Sequence, residues 1–492
     1  MALGILLALA YPPFNLWWSL PVPLLFYLSI LQSRVGTGYR VYLFSFLFWL
    51  AFFFSSLWWI LDFLHFFGGM PKILTPLPHL FLCSVLSLFM TAGLAAARLF
   101  PGSWFWWTYP LGIAFGEWIK AHIIWGGFPW NSLSLPLTHV PVLLQPASLI
   151  GSHGLSAWVV FLLIGPLVMA RQRKILWAWP AILVALAAYS IVWMRHPEEG
   201  RKVKAVVVQT GVDERHRFTQ GDDGQGLKEA LGFSREAMAL DPDLILWPES
   251  VFVGEFHADG SYGDVIELSK RKPLLIVANL YEAGKAYNSA FLLQDGKILG
   301  TYRKRHLVPF GEYLPLRGLA EKLGMIRVAR SIADFSPGES PGFFPAPVPL
   351  GVSICFEAVF PQLVRQEVNH GALLLAGLTN DAWYGAGGAA EQHFRQAVIR
   401  CAELHRPLAR AALTGISGFT DSHGRIQKWL PLGERGFMAA DVELSGRPTF
   451  YAMVGDVLPA LFGLSAGLLA LFRGYSWIRR RRTTLPPEAV SR

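Results

Sequence analysis

The sequence predicts a chain in two parts, an all-α membrane bundle joined to an α/β domain. Hydrophobic residues fill 53% of 492 positions and charged residues only 16%, where soluble domains carry about a quarter. The imbalance is local: fifteen of the 19 tryptophans precede residue 196, in a stretch with nine Lys/Arg and only two acidic residues, Asp62 and Glu117. From residue 203 onward, short β-branched runs alternate with helical spacings. These observations exclude disorder and a wholly soluble chain. The net charge of +9 is no nucleic-acid footprint, because the basic residues sit between and after apolar segments. Cys83, Cys355 and Cys401 are too few for a disulfide framework.

A membrane-spanning helix needs about 20 mostly apolar residues. Stretches 2–16, 19–33, 41–65, 77–97, 102–119, 152–170, 175–194 and 451–472 are read as eight such helices. The first is short and broken by Pro12 and Pro13. Its alternative is a cleaved signal peptide, against which no Lys or Arg precedes the apolar run. Residues 1–196 thus form the bundle with about seven spans, 197–450 an extramembrane domain, 451–472 the last span and 473–492 a basic tail. Threaded in order, Arg34 with Arg40, Arg98, Arg171 with Arg173 and Lys174, and Arg473 with Arg479, Arg480, Arg481 and Arg482 fall on one side, which is then the cytoplasm. Loops 66–76 and 120–150 and the extramembrane domain face outward. Loop 120–150 carries Trp125-Gly126-Gly127-Phe128-Pro129-Trp130, either an interfacial anchor or a flexible amphipathic arm that guides a lipid. Glu117 and Lys120, three residues apart at a span end, are positioned to pair.

In the extramembrane domain, strands are expected at 203–209, 244–247, 274–280, 289–293, 348–355 and 373–378, with helices at 227–240, 361–368 and 392–404. This alternation implies buried sheets covered by helices. Both ends of the domain are tied to the bilayer, so its ligand is expected at the membrane. Three polar residues stand at strand ends: Glu249 beyond Pro248, Lys304 where a strand enters a Pro- and Gly-shaped loop, and Cys355. Catalytic groups in α/β domains gather at the carboxyl ends of strands. A thiolate is a nucleophile, but a free thiol is mostly protonated near neutral pH. Glu249 could take its proton, and Lys304 could hold the thiolate and the developing oxyanion together with a backbone N–H near Phe356. A thioester would then form on Cys355. Singly, each residue has a plainer explanation. A buried Cys is ordinarily a small hydrophobe, and Cys83 in a span and Cys401 on an amphipathic helix are read that way. Glu249 alone could be a helix N-terminal carboxylate, Lys304 one of a basic trio, and Glu312 and Glu357 surface ion pairs. The three together point to catalysis.

Glu249 in WPES, Lys304 in YRKRHLVPFGEYLP and Cys355 in ICFE resemble the Glu-Lys-Cys triad of the nitrilase superfamily. TNDAWYG at 379–385, EQHF at 391–394 and GFPW at 127–130, with spans on both sides of the domain, are similar to its membrane-embedded branch, the bacterial apolipoprotein N-acyltransferases. The resemblance runs from the first spans to the last. It implies a nitrilase-like αββα sandwich on an eight-helix transmembrane domain, in the inner membrane and facing the periplasm, acting as a monomer without metal or cofactor. It also implies ping-pong transfer of an acyl chain from a phospholipid, typically phosphatidylethanolamine, to Cys355 and then to the α-amino group of a diacylated apolipoprotein. Carried over, Glu249 is the base, Lys304 the oxyanion partner and Cys355 the nucleophile. Asn288, Glu312 and Glu357 shape the site, and Trp383 and Tyr384 match a loop that gates or contacts lipid. The chain departs from the family where Phe218 follows Arg217 in place of Trp, where Phe356 replaces a Tyr, and in 412–417, which lacks an Asn-Asn-Gly or Asn-Thr-Gly text. These departures bear on substrate preference.

Two other functions compete. A membrane-tethered amidase or hydrolase would use the same triad with water as acceptor, but one span would suffice to tether it. A transporter would need partners for Asp62, the one acidic residue in the middle of an expected span.

Overall fold

Apolar runs of lipid-span length fold here into helices that are hydrophobic on nearly every side, as expected where lipid or another helix solvates each face. The computed structural model describes the chain except residues 33–37, 101, 170–177, 197–199, 213–214, 216, 218, 220, 222–223, 253, 257–261, 316, 323–333, 386 and 485–492. The first part contains α1 (Ala2–Ala8), α2 (Pro21–Gln32), α3 (Arg40–Ser56), α4 (Trp59–Phe66), α5 (Pro76–Arg98), α6 (Phe105–His122), α7 (Pro141–Leu144), α8 (Ala147–Met169) and α9 (Ala178–Arg195). Among the described residues, three helices are long and apolar enough to cross a membrane, within Lys72–Arg98, Ala147–Pro166 and Val457–Arg479. The pair α3 and α4, bent by 58°, makes a fourth if it counts as one span.

Several expected spans are therefore shorter or broken. The first is helical only to Ala8; Pro12 and Pro13, which lack the N–H a helix needs, follow in a turn. The second starts at Pro21 and has 12 residues. The third breaks after Ser56. The stretch expected at 451–472 divides at Gly455, whose φ of +65° suits glycine, into a short helix and a long one. Arg34 and the cluster of Arg171, Arg173 and Lys174 lie outside the described residues. Asp62 sits exposed in the first turn of α4, beyond the bend, not in the middle of an unbroken span. Helices α5 and α6 touch at glycines: a Cβ on Gly93 would lie 2.0 Å from the Gly112 carbonyl oxygen. Small residues permit such close backbone approach in membranes.

The α/β part begins with β1 (Lys202–Gln209), where Val203, Ala205 and Val207 face one core and Val206 and Val208 another. A period of two with both faces apolar marks a central strand. The remaining strands are β2 (Leu244–Leu246), β3 (Leu274–Glu282), β4 (Lys285–Gln294), β5 (Lys297–Arg303), β6 (Phe343–Phe344), β7 (Leu350–Ile354), β8 (Leu374–Thr379), β9 (Leu408–Ala412), β10 (Ser417–Thr420), β11 (Ile426–Leu430) and β12 (Gly436–Glu443). They form two six-stranded sheets, β12-β1-β2-β3-β4-β5 and β11-β10-β9-β8-β7-β6. Pairing is parallel in β1-β2-β3 and in β7-β8-β9 and antiparallel elsewhere. The sheets stack through Val203, Leu246 and Leu275 on one side and Val352, Ile354 and Leu378 on the other. Helices α10 (Gln225–Ala237) and α11 (Gly263–Arg271) cover the first sheet through Leu231 and Leu268. After the short α12 (Arg317–Lys322), helices α13 (Pro361–Asn369) and α14 (Ala389–Leu404) cover the second through Val364 and Val398. This is a nitrilase-like order of layers, helix, sheet, sheet, helix. Helices α15 (Phe450–Val454) and α16 (Val457–Thr484) close the chain.

One apolar core runs without a break from α14 into the bundle, joining Phe394, Val398 and Cys401 to Leu133, Leu144, Leu155 and Tyr451. Helix α14, an amphipathic helix by sequence, is buried at every position but Glu391 for that reason. Loop 120–150 is likewise no free arm. Only residues 122–126 form an exposed tip, and 129–138 are buried beneath it. Lys120 donates to the Trp130 carbonyl at 2.7 Å, and the Leu133 N–H donates to Glu117 at 2.8 Å. The two charges thus brace the loop and do not bond to each other.

Candidate active site

The strand ends meet where the two sheets face each other beside the bundle. Glu249 follows β2, Lys304 follows β5 and Cys355 follows β7. Cys355 has a φ of +51°, a left-handed backbone that is strained for a residue with a Cβ, and it opens a 3-10 turn over Cys355–Val359. Glu357 holds that turn. Its carboxylate accepts the N–H groups of Ile354 (2.9 Å), Arg305 (2.8 Å) and His306 (3.1 Å) and the Tyr302 hydroxyl (2.7 Å). Glu357 is therefore no surface ion pair: it ties the segment carrying Lys304 to the segment carrying Cys355.

Glu249 accepts Asn288 Nδ2 at 2.7 Å on one oxygen and the Asn380 N–H at 3.0 Å on the other, with Lys304 Nζ at 3.5 Å. Glu312 accepts Lys304 at 2.8 Å and Asn288 at 2.9 Å, and its second oxygen takes the Val308 N–H at 2.8 Å. Glu312 too is an inner partner, not a surface one. Burial would lower the Lys304 pKa, but Glu312 and Glu249 outweigh it and raise the pKa, so Lys304 is a fixed cation. Burial raises Glu249, with Lys304 opposing. Burial, then Glu249, push the Cys355 thiol up to about 12. At rest the sulfur keeps its proton, beside a carboxylate of raised basicity and a permanent cation. Such a set can deprotonate a thiol on demand and receive negative charge on a reacting oxygen.

Aromatic rings surround this polar group. Phe356 lies 6.1 Å from Trp130 and 5.0 Å from Phe360, so its ring is used for apolar contact. Trp383 packs on Phe67 at 4.6 Å, and Tyr384 on Trp59 at 4.9 Å and Trp130 at 5.8 Å. Phe218 lies outside the described residues. Among the described residues, no group of three His, Cys, Asp or Glu could hold a metal ion.

Beneath the nucleophile lies a buried network with no role in the sequence-based expectation. His393 Nε2 is 3.0 Å from the Cys355 carbonyl oxygen, which can only accept, so this nitrogen carries a proton. Asp381 sits 2.8 Å from His393 Nδ1 and 2.8 Å from an Arg410 nitrogen, and accepts the Thr379 hydroxyl at 3.0 Å. Burial would raise Asp381, but Arg410 and His393 hold it at about 2. Asp381 and His393 stand inside the TNDAWYG and EQHF texts, and Arg410 is a lone charge in an apolar strand. A buried charge implies a partner, which is the signal the sequence offers.

Residues 3–165 match the family described as the apolipoprotein N-acyltransferase N-terminal domain, and residues 204–448 match the carbon-nitrogen hydrolase family. An apolipoprotein N-acyltransferase of Bradyrhizobium diazoefficiens is 32% identical over 440 residues, covering 81% of this chain and 80% of its own. That of Rhodopseudomonas palustris is 30% identical over 512 residues, covering 96% and 94%. Among solved structures, a mutant amidase of Nesterenkonia from the nitrilase superfamily aligns with a TM-score of 0.38 at 17% identity, over 53% of this chain and 94% of that one. The chain belongs to the apolipoprotein N-acyltransferase family.

Proposed function

We propose that this chain moves one acyl chain from a phospholipid, phosphatidylethanolamine foremost, to the free α-amino group of the diacylglyceryl-cysteine that begins an apolipoprotein. One observation carries the chemistry: Glu249, Lys304 and Cys355 converge in a buried site whose neighbours are the aromatic rings of a membrane bundle. Glu249 takes the thiol proton as Sγ attacks the ester carbonyl, and a C–S bond forms. Lys304 and a backbone N–H near Phe356 hold the oxyanion. Collapse breaks the ester C–O bond, Glu249 returns the proton to the departing lysophospholipid oxygen, and the acyl chain stays on Cys355 as a thioester. The amine then attacks that carbonyl, the C–S bond breaks, the amine's proton passes by way of Glu249 to the sulfur, and an amide leaves.

The bundle crosses the bacterial inner membrane eight times, with loops 66–76 and 120–150 and the domain at 197–450 in the periplasm and the tail at 473–492 in the cytoplasm. The one-sided basic clusters support this orientation. The protein works as a monomer.

Intact-protein mass tests the proposal. Wild type and Cys355→Ser are each mixed with a diacyl phospholipid and no acceptor. A single-acyl adduct on wild type alone, released by hydroxylamine, is expected. Free fatty acid without an adduct would favour hydrolysis and overturn the acyltransferase mechanism.

A further inference from the structure

Adjacent residues on α14 face opposite ways. His393 reaches the Cys355 carbonyl, while the fully buried Gln392 reaches into the bundle. Its Oε1 accepts the indole N–H of Trp130 at 2.7 Å and that of Trp59 at 3.3 Å. Its Nε2 donates to the carbonyls of Pro12 at 2.8 Å and Ser56 at 3.0 Å. A side-chain amide has two acceptor lone pairs and two donor hydrogens, so every one is engaged and the amide has one orientation. The Ser56 carbonyl ends α3 at its bend and has no helical N–H to accept. Gln392 thus fastens the turn after α1, the break between α3 and α4, and loop 120–150 to a single atom group.

Both indoles, themselves buried, pack on rings of the segments that surround the nucleophile. Trp130 stacks on Phe356, the residue after Cys355, at 6.1 Å, and Trp59 meets Tyr384 at 4.9 Å. Trp130 also lies 5.4 Å from the His393 ring. We infer that Gln392 is a positioning residue for donor binding: it fixes Trp59 and Trp130 as the wall against which the phospholipid acyl chain packs beside Cys355. This rests on Cys355 being the acyl carrier. Through that wall Gln392 governs how well the lipid binds, while the thiol's reactivity is governed by Glu249 and Lys304.

The test uses the full chain in detergent with a diacyl phosphatidylethanolamine, following thioester formation by mass. Alkylation of Cys355 by iodoacetamide, a small reagent that needs no acyl wall, is followed in parallel. Q392M keeps the side-chain length and loses all four bonds. It is expected to raise the donor KM at least about tenfold with kcat within about threefold, the signature of lost uniform binding. Its alkylation rate should stay within about threefold of wild type, since the wall is not used by that reagent. W59F and W130F each keep a ring and lose one N–H bond, and each should raise KM less than Q392M does. Adding W130F to Q392M should raise KM by less than W130F does alone, because the bond is already gone and only ring area is lost further. An unchanged KM in Q392M, a parallel fall in alkylation, or an additive double variant would overturn the inference. If Q392M does not fold, unchanged KM in both Trp→Phe variants overturns it instead. A wild type that forms no thioester refutes the acyl carrier, and this inference with it. A wild type that acylates with KM flat across the series refutes this inference alone.

Discussion

Lys304 faces two carboxylates at once, and that fact makes its replacement informative. Its Nζ lies 2.8 Å from Glu312 and 3.5 Å from Glu249. At an effective dielectric near 20, unit charges at those separations attract by about 6 and about 5 kcal/mol, before the cost of desolvating them. Removing one member of a buried pair costs about 3–5 kcal/mol, because the other charge is left uncompensated. Lys304→Met should therefore lower the thermal midpoint in detergent and force a proton onto one of the two carboxyls. It should also slow thioester formation by about 100-fold or more, the loss typical when an oxyanion donor is removed. The double variant K304M/E312Q removes the surplus charge while Glu249 keeps its bonds to Asn288 and Asn380. Most of the lost stability should return and the rate should not. Unfolding scans and single-turnover acylation read by mass separate the two effects. Recovery of the rate in the double variant would mean that Lys304 serves only as counter-charge. A K304M rate within about tenfold of wild type would remove it from the oxyanion site altogether.

Two further predictions concern the base and the bundle. If Glu249 is the general base, the rate of thioester formation should fall as pH drops through its raised pKa and be level above it, because only the ionised carboxylate can take the proton. In E249Q the rate should instead climb about tenfold per pH unit, as for an unassisted thiol whose pKa burial keeps raised; that slope in wild type would exclude the base. Gly93→Ala should lower the thermal midpoint, since its Cβ would stand 2.0 Å from the backbone oxygen of Gly112, which no rotamer change can move. The cost is of the order of 1–3 kcal/mol, as for other overpacked sites. Gly232, within α10 and with nothing within 4 Å of its Cβ direction, is the control: its change to Ala should leave stability equal or higher, by up to about 1 kcal/mol of helix propensity. Equal midpoints for Gly93→Ala and wild type would show that the helices can part without cost.

The legible parts of the chain are those whose partners are local. The strands around Val206 and Val352 show themselves as β-branched runs, and Glu249, Lys304 and Cys355 as polar residues just past such runs. The illegible parts depend on partners far along the chain. Gln392 bonds residues 380 and 336 positions away, at Pro12 and Ser56. Nothing in the periodicity of α14 says that its polar side is covered by the bundle. The bend after Ser56 has the Ser55-Ser56 pair as its one local sign, a recurrent setting for kinks. Glu117 and Lys120 have the right spacing to pair, yet each finds a backbone partner in loop 120–150 that short-range reasoning does not see. Arg410 stands out in an apolar strand because its explanation, Asp381, lies 29 positions earlier.

The same long-range packing explains why a covalent intermediate suits this site. Cys355 is 6% exposed, Glu249 7% and Lys304 1%, so water has little access to a thioester there. A small polar amide would meet Phe356, Trp130 and Tyr384 and gain little from them. An acyl chain gains about 0.8 kcal/mol for each methylene it buries. About six methylenes laid on the aromatic rings would thus return about 5 kcal/mol. Both proposed substrates are lipids, and both need the same apolar surface beside one thiol. On the proposed mechanism the acyl chain stays on the protein while one lipid leaves and the other enters. A thioester on Cys355 would hold it there, and the proposed wall would then serve the two lipids in turn.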